Sequence, residues 1–445
     1  MSLKPPPQLE KLQTALHAKA KSSPHQRFHA LYDKVYRLDI LAFAYACCQA
    51  NKGAAGVDGL EFADIRKYGL DQWLGELAEE LRKRTYRPNP VRRVWIPKPD
   101  GKQRPLGIPT IRDRVVQTAA MLVLGPIFEA DLQSEQYAYR PDRSGLDAVQ
   151  RVYRLLNSGH TQVVDADLSG YFDSIPHAEL MQCLRRRIVD GAMLHLLKMW
   201  LQTPVEETDD RGNARRTTRN RDEGKGTPQG APISPLLSNL YMRRFVLGWK
   251  TLGHAARLNA QIVNYADDFV ICCRGTALQA MWLMRDMMAR MKLTVNESKT
   301  HMRRVGLDPT AETFDFLGYT FGRHWAHRSQ RWILCQKPSD QRVRRLCDTL
   351  SEMTDRRHTA KSEVQMATEL NRVLRGWGGY FCRGPVARVY TKINSHLRLR
   401  FNQWWIAKHR KRTKGPGKHW SPWLERTYGL IPLRQSMFHQ TQANA

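Results

Sequence analysis

NAQIVNYADDFVICC (259–273) places two apolar runs of strand length around a short polar tip, Tyr265–Asp268. The β-branched residues on either side and the break between them predict a hairpin of two buried strands. Asp267 and Asp268 fall at its tip. A second stretch, VVDADLSGYFDSI (163–175), sets Asp165, Asp167 and Asp173 at or just beyond a short apolar strand. An Asp-Asp pair alone is commonly a turn or a cap, and Asp-x-Asp a plain strand end. Carboxylates in such apolar surroundings are costly unless a cation compensates them, and two adjacent ones also repel each other. A divalent metal answers both costs. All-oxygen ligation suits Mg²⁺, which keeps waters and substrate phosphates in its shell.

The charge of the chain points the same way. Seventy-one Lys and Arg stand against 42 Asp and Glu, leaving +29 over 445 residues. Self-repulsion on that scale is offset by a polyanion. Nucleic acid is the first candidate, because each neutralised phosphate releases counterions; a membrane surface is the second. Twelve Trp, 15 Tyr and 13 Phe supply enough bulk for packed cores and argue against disorder. Cys47, Cys48, Cys183, Cys272, Cys273, Cys335, Cys347 and Cys382 show no CxxC spacing and no Cys/His cluster, so no zinc site is expected. They fit a reduced, cytoplasmic chain (bacterial cytosol or nucleoid). The N-terminus MSLKPPPQLEKLQ has no signal-like apolar run. No stretch reaches the ~18 apolar residues of a membrane span.

Residues 1–90 read as mostly helical. Val91–Ile96 reads as a strand, followed by a Pro99-Asp100-Gly101 hairpin turn. Helices are expected over 112–130, 176–202, from Ser234, and over 277–291. The polar segment 205–226 reads as an exposed loop or hairpin. FDFLGYTF (314–321) and RWILCQ (331–336) read as strands. Beyond about 338 the chain turns helical and basic, with aromatic residues interleaved. Residues 408–434 are expected as a short DNA-binding extension, with WSPWLERTYGLIPL (420–433) packed as a helix pair.

Taken together, these blocks resemble the group II intron reverse transcriptase/maturase family. The likeness spans roughly residues 30–400. It rests on YRPNPVRRVWIPKPDGKQRPLGIPTIRDRVVQ (86–117), QYAYRPDRSGLDAV (136–149), DADLSGYFDSIPH (165–177), GTPQGAPISPLLSNLYM (226–242) and NYADDFV (264–270). LTVNESKT (293–300), FDFLGYTF (314–321) and LNRVLRGWGGYF (370–381) continue it in the same order.

The resemblance implies an α+β right-hand polymerase, with fingers and palm built on antiparallel sheet and a helical maturase thumb. The divisions it implies are an N-terminal helical extension and start of the fingers (1–90), fingers (91–160), and palm (161–335), with a fingers segment inserted around 185–245. A thumb (336–407) and a basic extension (408–445) follow. It implies an RNA-directed DNA polymerase that also binds group II intron RNA and assists splicing and mobility. Its partners would be that RNA or another RNA template, a DNA primer or target, and dNTPs. Two alternatives stand: a free-standing relative in host defence or DNA repair, and an RNA-binding splicing chaperone with little polymerase activity.

By resemblance, Asp167, Asp267 and Asp268 are the catalytic acids. With Leu168 they contact two Mg²⁺ ions, which Mn²⁺ can replace. Two such metals can activate a 3′-hydroxyl and stabilise a leaving pyrophosphate. Lys98 and Arg104, helped by Arg92 or Arg93, are expected on the triphosphate. Phe172 is expected as the gate against a ribose 2′-hydroxyl, and Gln229 and Lys299 as nucleotide contacts. Phe316, Leu317, Gly318 and Tyr319 would grip the primer. Arg375, Trp377, Tyr380, Lys408, Arg410, Lys411 and Arg412 would form an RNA-binding thumb surface. No Cys/His endonuclease module is expected.

Overall fold

The computed structural model describes residues 3–97, 101, 103–209, 213–326, 330–410, 420–434 and 437. Lys98, Lys102, Lys411 and Arg412 lie outside them. The chain divides into two compact units. The first comprises 1–144, 166–269 and 278–301; the second comprises 145–165, 270–277 and 302–445. Eleven strands run among the described residues: β1 (Val91–Pro97), β2 (Gln103–Ile108), β3 (Gln162–Asp167), β4 (Val205–Thr208), β5 (Ala214–Thr217), β6 (Ala260–Tyr265), β7 (Asp268–Cys273), β8 (His301–Arg304), β9 (Phe314–Phe316), β10 (Tyr319–Ala326) and β11 (Arg331–Pro338). They form three sheets, of order β2-β1-β4-β5, β11-β10-β9 and β6-β7-β3-β8. No helix among the described residues is long and apolar enough to cross a membrane.

The first unit is organised around the helix Ile111–Glu129, which is buried along most of its length from Val115 to Phe128. An apolar residue on nearly every face is what a central helix requires. Its N-terminus is fixed by a buried polar knot. The Tyr86 hydroxyl donates to one oxygen of Asp113 at 2.7 Å, and Thr110 Oγ1 and the Asn89 N–H donate to the other at 2.7 and 3.0 Å. This knot holds the chain just before β1. The segment 205–226 contains the expected hairpin, β4 antiparallel to β5, and β4 also pairs in parallel with β1 (Val91↔Val205), so it extends the fingers sheet.

In the second unit, Asp340–Met353, Glu363–Tyr380 and Ala387–His409 are three helices around a common core that includes Val343, Leu346, Leu370, Leu374, Ile393, Leu397 and Phe401. Ser339 and Ser362 cap the first two, the latter in a reciprocal box with Gln365. The third runs through the expected division at 407/408.

The expected helix pair at 420–433 is a single helix, Trp420–Tyr428, followed by irregular chain. Gly429 and Pro432 explain the stop, since one relaxes the backbone and the other has no N–H to donate. Two asparagines replace helical bonding. The Asn371 amide donates to Gly429 O and accepts from the Ile431 N–H, at 2.7 and 2.9 Å; Asn394 does the same for Leu433, at 3.0 and 2.9 Å. Leu424, Leu430 and Leu433 are buried in the thumb core, so this stretch is part of the thumb rather than a separate extension.

Candidate functional site

The hairpin tip of 259–273 forms as its sequence implies, with Ala266 and Asp267 between β6 and β7. Ala266 takes a left-handed conformation, φ 59°. A fully buried asparagine holds it there: Asn264 Nδ2 donates to Ala266 O at 2.8 Å. The Asn264 backbone is itself fixed, donating to Glu135 O (2.9 Å) and accepting from the Tyr137 N–H (3.0 Å). Sequence reasoning assigned no role to Asn264, although it directly precedes Tyr265.

Asp167 ends β3. Its backbone carbonyl accepts from the Asn296 N–H at 2.8 Å, and its carboxylate accepts from Asn296 Nδ2 at 3.1 Å. Lys299 Nζ lies 3.2 Å from the same carboxylate oxygen. Asn296 and Lys299 come from one short turn, NESK, which explains why that block travels with the acids. Burial pushes the Asp267 carboxyl above the usual range, and the nearby negative charge of Asp167 adds to this, while Arg104 and Lys299 pull it back. Two acids about a hundred positions apart in sequence therefore share one electrostatic environment with two cations.

Among the described residues, no three His, Cys, Asp or Glu side chains form a metal-ligating group. The donor chemistry still fits a hard divalent cation. Mg²⁺ is commonly held by one or two carboxylates, with water and substrate phosphates completing its shell. The mutual repulsion of Asp167 and Asp267 is the charge such an ion would neutralise.

Around the acids the fingers sheet sorts its cations by pleat. Arg104 pairs with Ile96 in register and so shares a face with Arg92, and its charge reaches Asp267. Arg93 lies on the other face. With Val91 and Trp95 it lines a cavity of about 610 Å³ that also includes Asp173 and Gln229. Arg93 is the cation that faces Asp173. Gln229 is occupied: its Nε2 donates to Asp173 Oδ2 at 2.9 Å. Asp173 received no role from sequence, and the structure makes it the partner of the GTPQG glutamine.

That turn is held close to β2. The Gly107 N–H donates to Gln229 O at 2.6 Å, and a Cβ on Gly230 (φ 111°) would sit 2.6 Å from Gly107 O. Phe172 is half-buried, edge-on to Tyr171 at 5.7 Å, and its carbonyl accepts from the Thr227 N–H at 2.7 Å. Phe172 and the GTPQG turn are thus one hydrogen-bonded piece.

The reverse transcriptase (RNA-dependent DNA polymerase) family matches this chain over residues 96–321, half its length, and encloses every acid described above. This chain is a reverse transcriptase. The group II intron maturase-specific domain matches residues 343–422, across the three thumb helices. Among curated relatives, Protein YkfC of Escherichia coli is 31% identical over 75% of this chain and 93% of its own length. Group II intron-encoded protein LtrA of Lactococcus lactis is 27% identical over 66% of this chain, which spans only 56% of LtrA. Nuclear intron maturase 2 of Arabidopsis thaliana is 30% identical over 25% of this chain and 15% of its own. The chain belongs to the group II intron kind of reverse transcriptase.

In the second unit of this reverse transcriptase, FLGY forms the turn between β9 and β10, with Leu317 and Gly318 at φ 51° and 82°. Tyr319 is buried and donates its hydroxyl to Tyr380 O, while Tyr380 Oη donates to Leu317 O at 3.0 Å. A Cβ on Gly318 would meet the Arg342 side chain at 3.0 Å. The turn is therefore locked to the thumb helices. Tyr380 serves that lock, and Trp377 packs on Phe381 with ring centroids 4.6 Å apart. Lys408 donates to Thr359 O and Lys361 O at 3.1 and 2.9 Å, so its ammonium is engaged within the thumb. Arg375 and Arg410 are exposed.

Proposed function

We propose that this reverse transcriptase copies RNA into DNA at a site built on Asp167, Asp267 and Asp268, loaded with Mg²⁺, and that it binds group II intron RNA to assist splicing and mobility. The observation that carries the reading is the shared electrostatic environment of Asp167 and Asp267, beside Lys299 and Arg104. Bound divalent metal supplies Lewis-acid activation of a primer 3′-hydroxyl and charge compensation for the leaving pyrophosphate. The chain's own residues do the rest. Asn296 orients the Asp167 carboxylate, and Asn264 fixes the peptide that carries Asp267. Arg104 offers a positive charge to the triphosphate. Phe172 presents its ring where a ribose 2′ position would pass, and Gln229, braced by Asp173, presents the turn beneath the nucleotide.

The intron RNA enters through the maturase-specific domain and the relationship to LtrA, whose name records an intron-encoded protein. The +29 charge supplies the non-specific part of that binding. The test is primer extension on an RNA template with dNTPs and Mg²⁺, run beside RNA binding. Asp267→Asn is expected to lose extension at least a thousandfold while RNA affinity changes less than twofold. Synthesis retained in that variant removes the catalytic assignment; extension intact with no preference for intron RNA removes the maturase half.

A further inference from the structure

The hairpin of β10 and β11 carries two exposed indoles at the end away from Tyr319 and Pro338, one pair before the strands part. Trp325 and Trp332 are directly opposite in register, 37% and 44% exposed, with ring centroids 5.5 Å apart and edge-to-face. On the same pleat, further down, Tyr319, Phe321 and Leu334 are buried. The face therefore runs out of covering protein where its largest apolar residues begin. The Arg323 guanidinium lies over the Trp332 ring at 4.6 Å from its centroid. Between Tyr319 and Pro338 the sequence has Arg323, Arg328, Arg331 and Lys337, and no Asp or Glu. Aromatic surface on a hairpin whose own formal charges are all positive is well suited to a polyanion with flat apolar groups.

Resting on the reading of the chain as an RNA-binding polymerase, we propose that Trp325 and Trp332, with Arg323, form a stacking platform for unpaired bases of single-stranded RNA. Duplex RNA hides its base faces, whereas single strands expose them to indole and guanidinium planes. Neither the acids nor the FLGY turn contains these residues, so the platform is separate from the proposed chemistry.

The experiment uses the full chain, a fluorescent 12-nucleotide oligo(A) RNA and a fully paired RNA duplex of equal length, titrated by anisotropy over a series of salt concentrations. Trp325→Ala and Trp332→Ala are each expected to weaken oligo(A) binding about tenfold, within the range of a lost base–aromatic stack. Duplex affinity and extension of a preformed short primer–template should change less than twofold. The slope of log affinity against log salt should stay the same in both tryptophan variants and fall by about 0.7 in Arg323→Gln. Trp332→Phe keeps an aromatic face and should retain most of the affinity, which separates lost stacking from a disturbed hairpin. Photocrosslinking of a 4-thiouridine oligonucleotide should label the peptide that contains Arg323–Trp332.

Unchanged oligo(A) binding in both alanine variants overturns the platform, as does crosslinking confined to other peptides. An equal loss on single strand and duplex overturns it too, and would mark a general RNA contact or a disturbed hairpin in place of base stacking. A wild-type chain that binds neither RNA would instead defeat the underlying RNA-binding reading.

Discussion

Gly230→Ala tests whether the GTPQG turn and the fingers strand act as one piece. Two costs follow from the structure. Gly230 sits at φ 111°, a conformation that costs an L residue about 1–3 kcal/mol. The new Cβ would also lie 2.6 Å from Gly107 O, a backbone atom that has to retreat. That retreat pulls on the Gly107 N–H···O Gln229 bond, worth about 1 kcal/mol. Together they reach about 2–4 kcal/mol. If about 2 kcal/mol falls on the nucleotide-bound state, kcat/KM for dNTP drops about 30-fold, at about 1.4 kcal/mol per tenfold. The matched control is Gly224→Ala. Gly224 also has a positive φ, 63°, but a Cβ there meets nothing within 4 Å. It should lower the melting temperature and leave dNTP kinetics within about threefold. Single-nucleotide incorporation on a fixed primer–template measures both. A Gly230→Ala enzyme with the same dNTP kcat/KM as Gly224→Ala would refute the coupling of turn and strand.

Asn264→Ala removes the bond that holds Ala266 left-handed, so kcat should fall about tenfold for a penalty of about 1–2 kcal/mol. Adding Ala266→Gly should restore most of it, and absence of rescue in primer extension contradicts the clamp. Asp190→Ala should cost about 2 kcal/mol, because the carboxylate accepts from four backbone N–H groups, those of Leu31, Tyr32, Ala192 and Met193. Burial alone would raise the Asp190 carboxyl, yet these donors hold it below the usual range. Its stabilisation is thus present above the unfolded value near about 3.9 and lost as pH falls through the lower folded value. In thermal melts the gap between wild type and variant should narrow below about pH 4; a gap that widens in acid contradicts the assignment. Asp173→Ala frees the Gln229 amide and should raise KM for dNTP severalfold with little change in melting. An equal fall in kcat at unchanged KM would place Asp173 elsewhere in the cycle.

The sequence by itself determined that this chain is a polymerase of intron type. The acid-bearing strands, the PDG and GTPQG turns and the FLGY block are local signals, each written within a dozen residues and kept in a fixed order. The β6–β7 hairpin could be drawn from the period of its apolar residues alone. Long-range partnerships were not legible. Nothing in the local pattern pairs Asp173 with Gln229 or Lys299 with Asp167, and no glycine announces the left-handed turn that Asn264 clamps at Ala266. Nor does composition separate Arg92 from Arg93, which only the strand pleat sends to opposite faces. The misread tail has the same cause: WSPWLERTYGLIPL has apolar spacing for helix throughout, but two asparagines from distant helices supply hydrogen bonds that let its second half stay irregular. Periodicity reports which residues seek burial. Which groups meet, and which charges come to share one environment, is fixed only when the chain closes on itself.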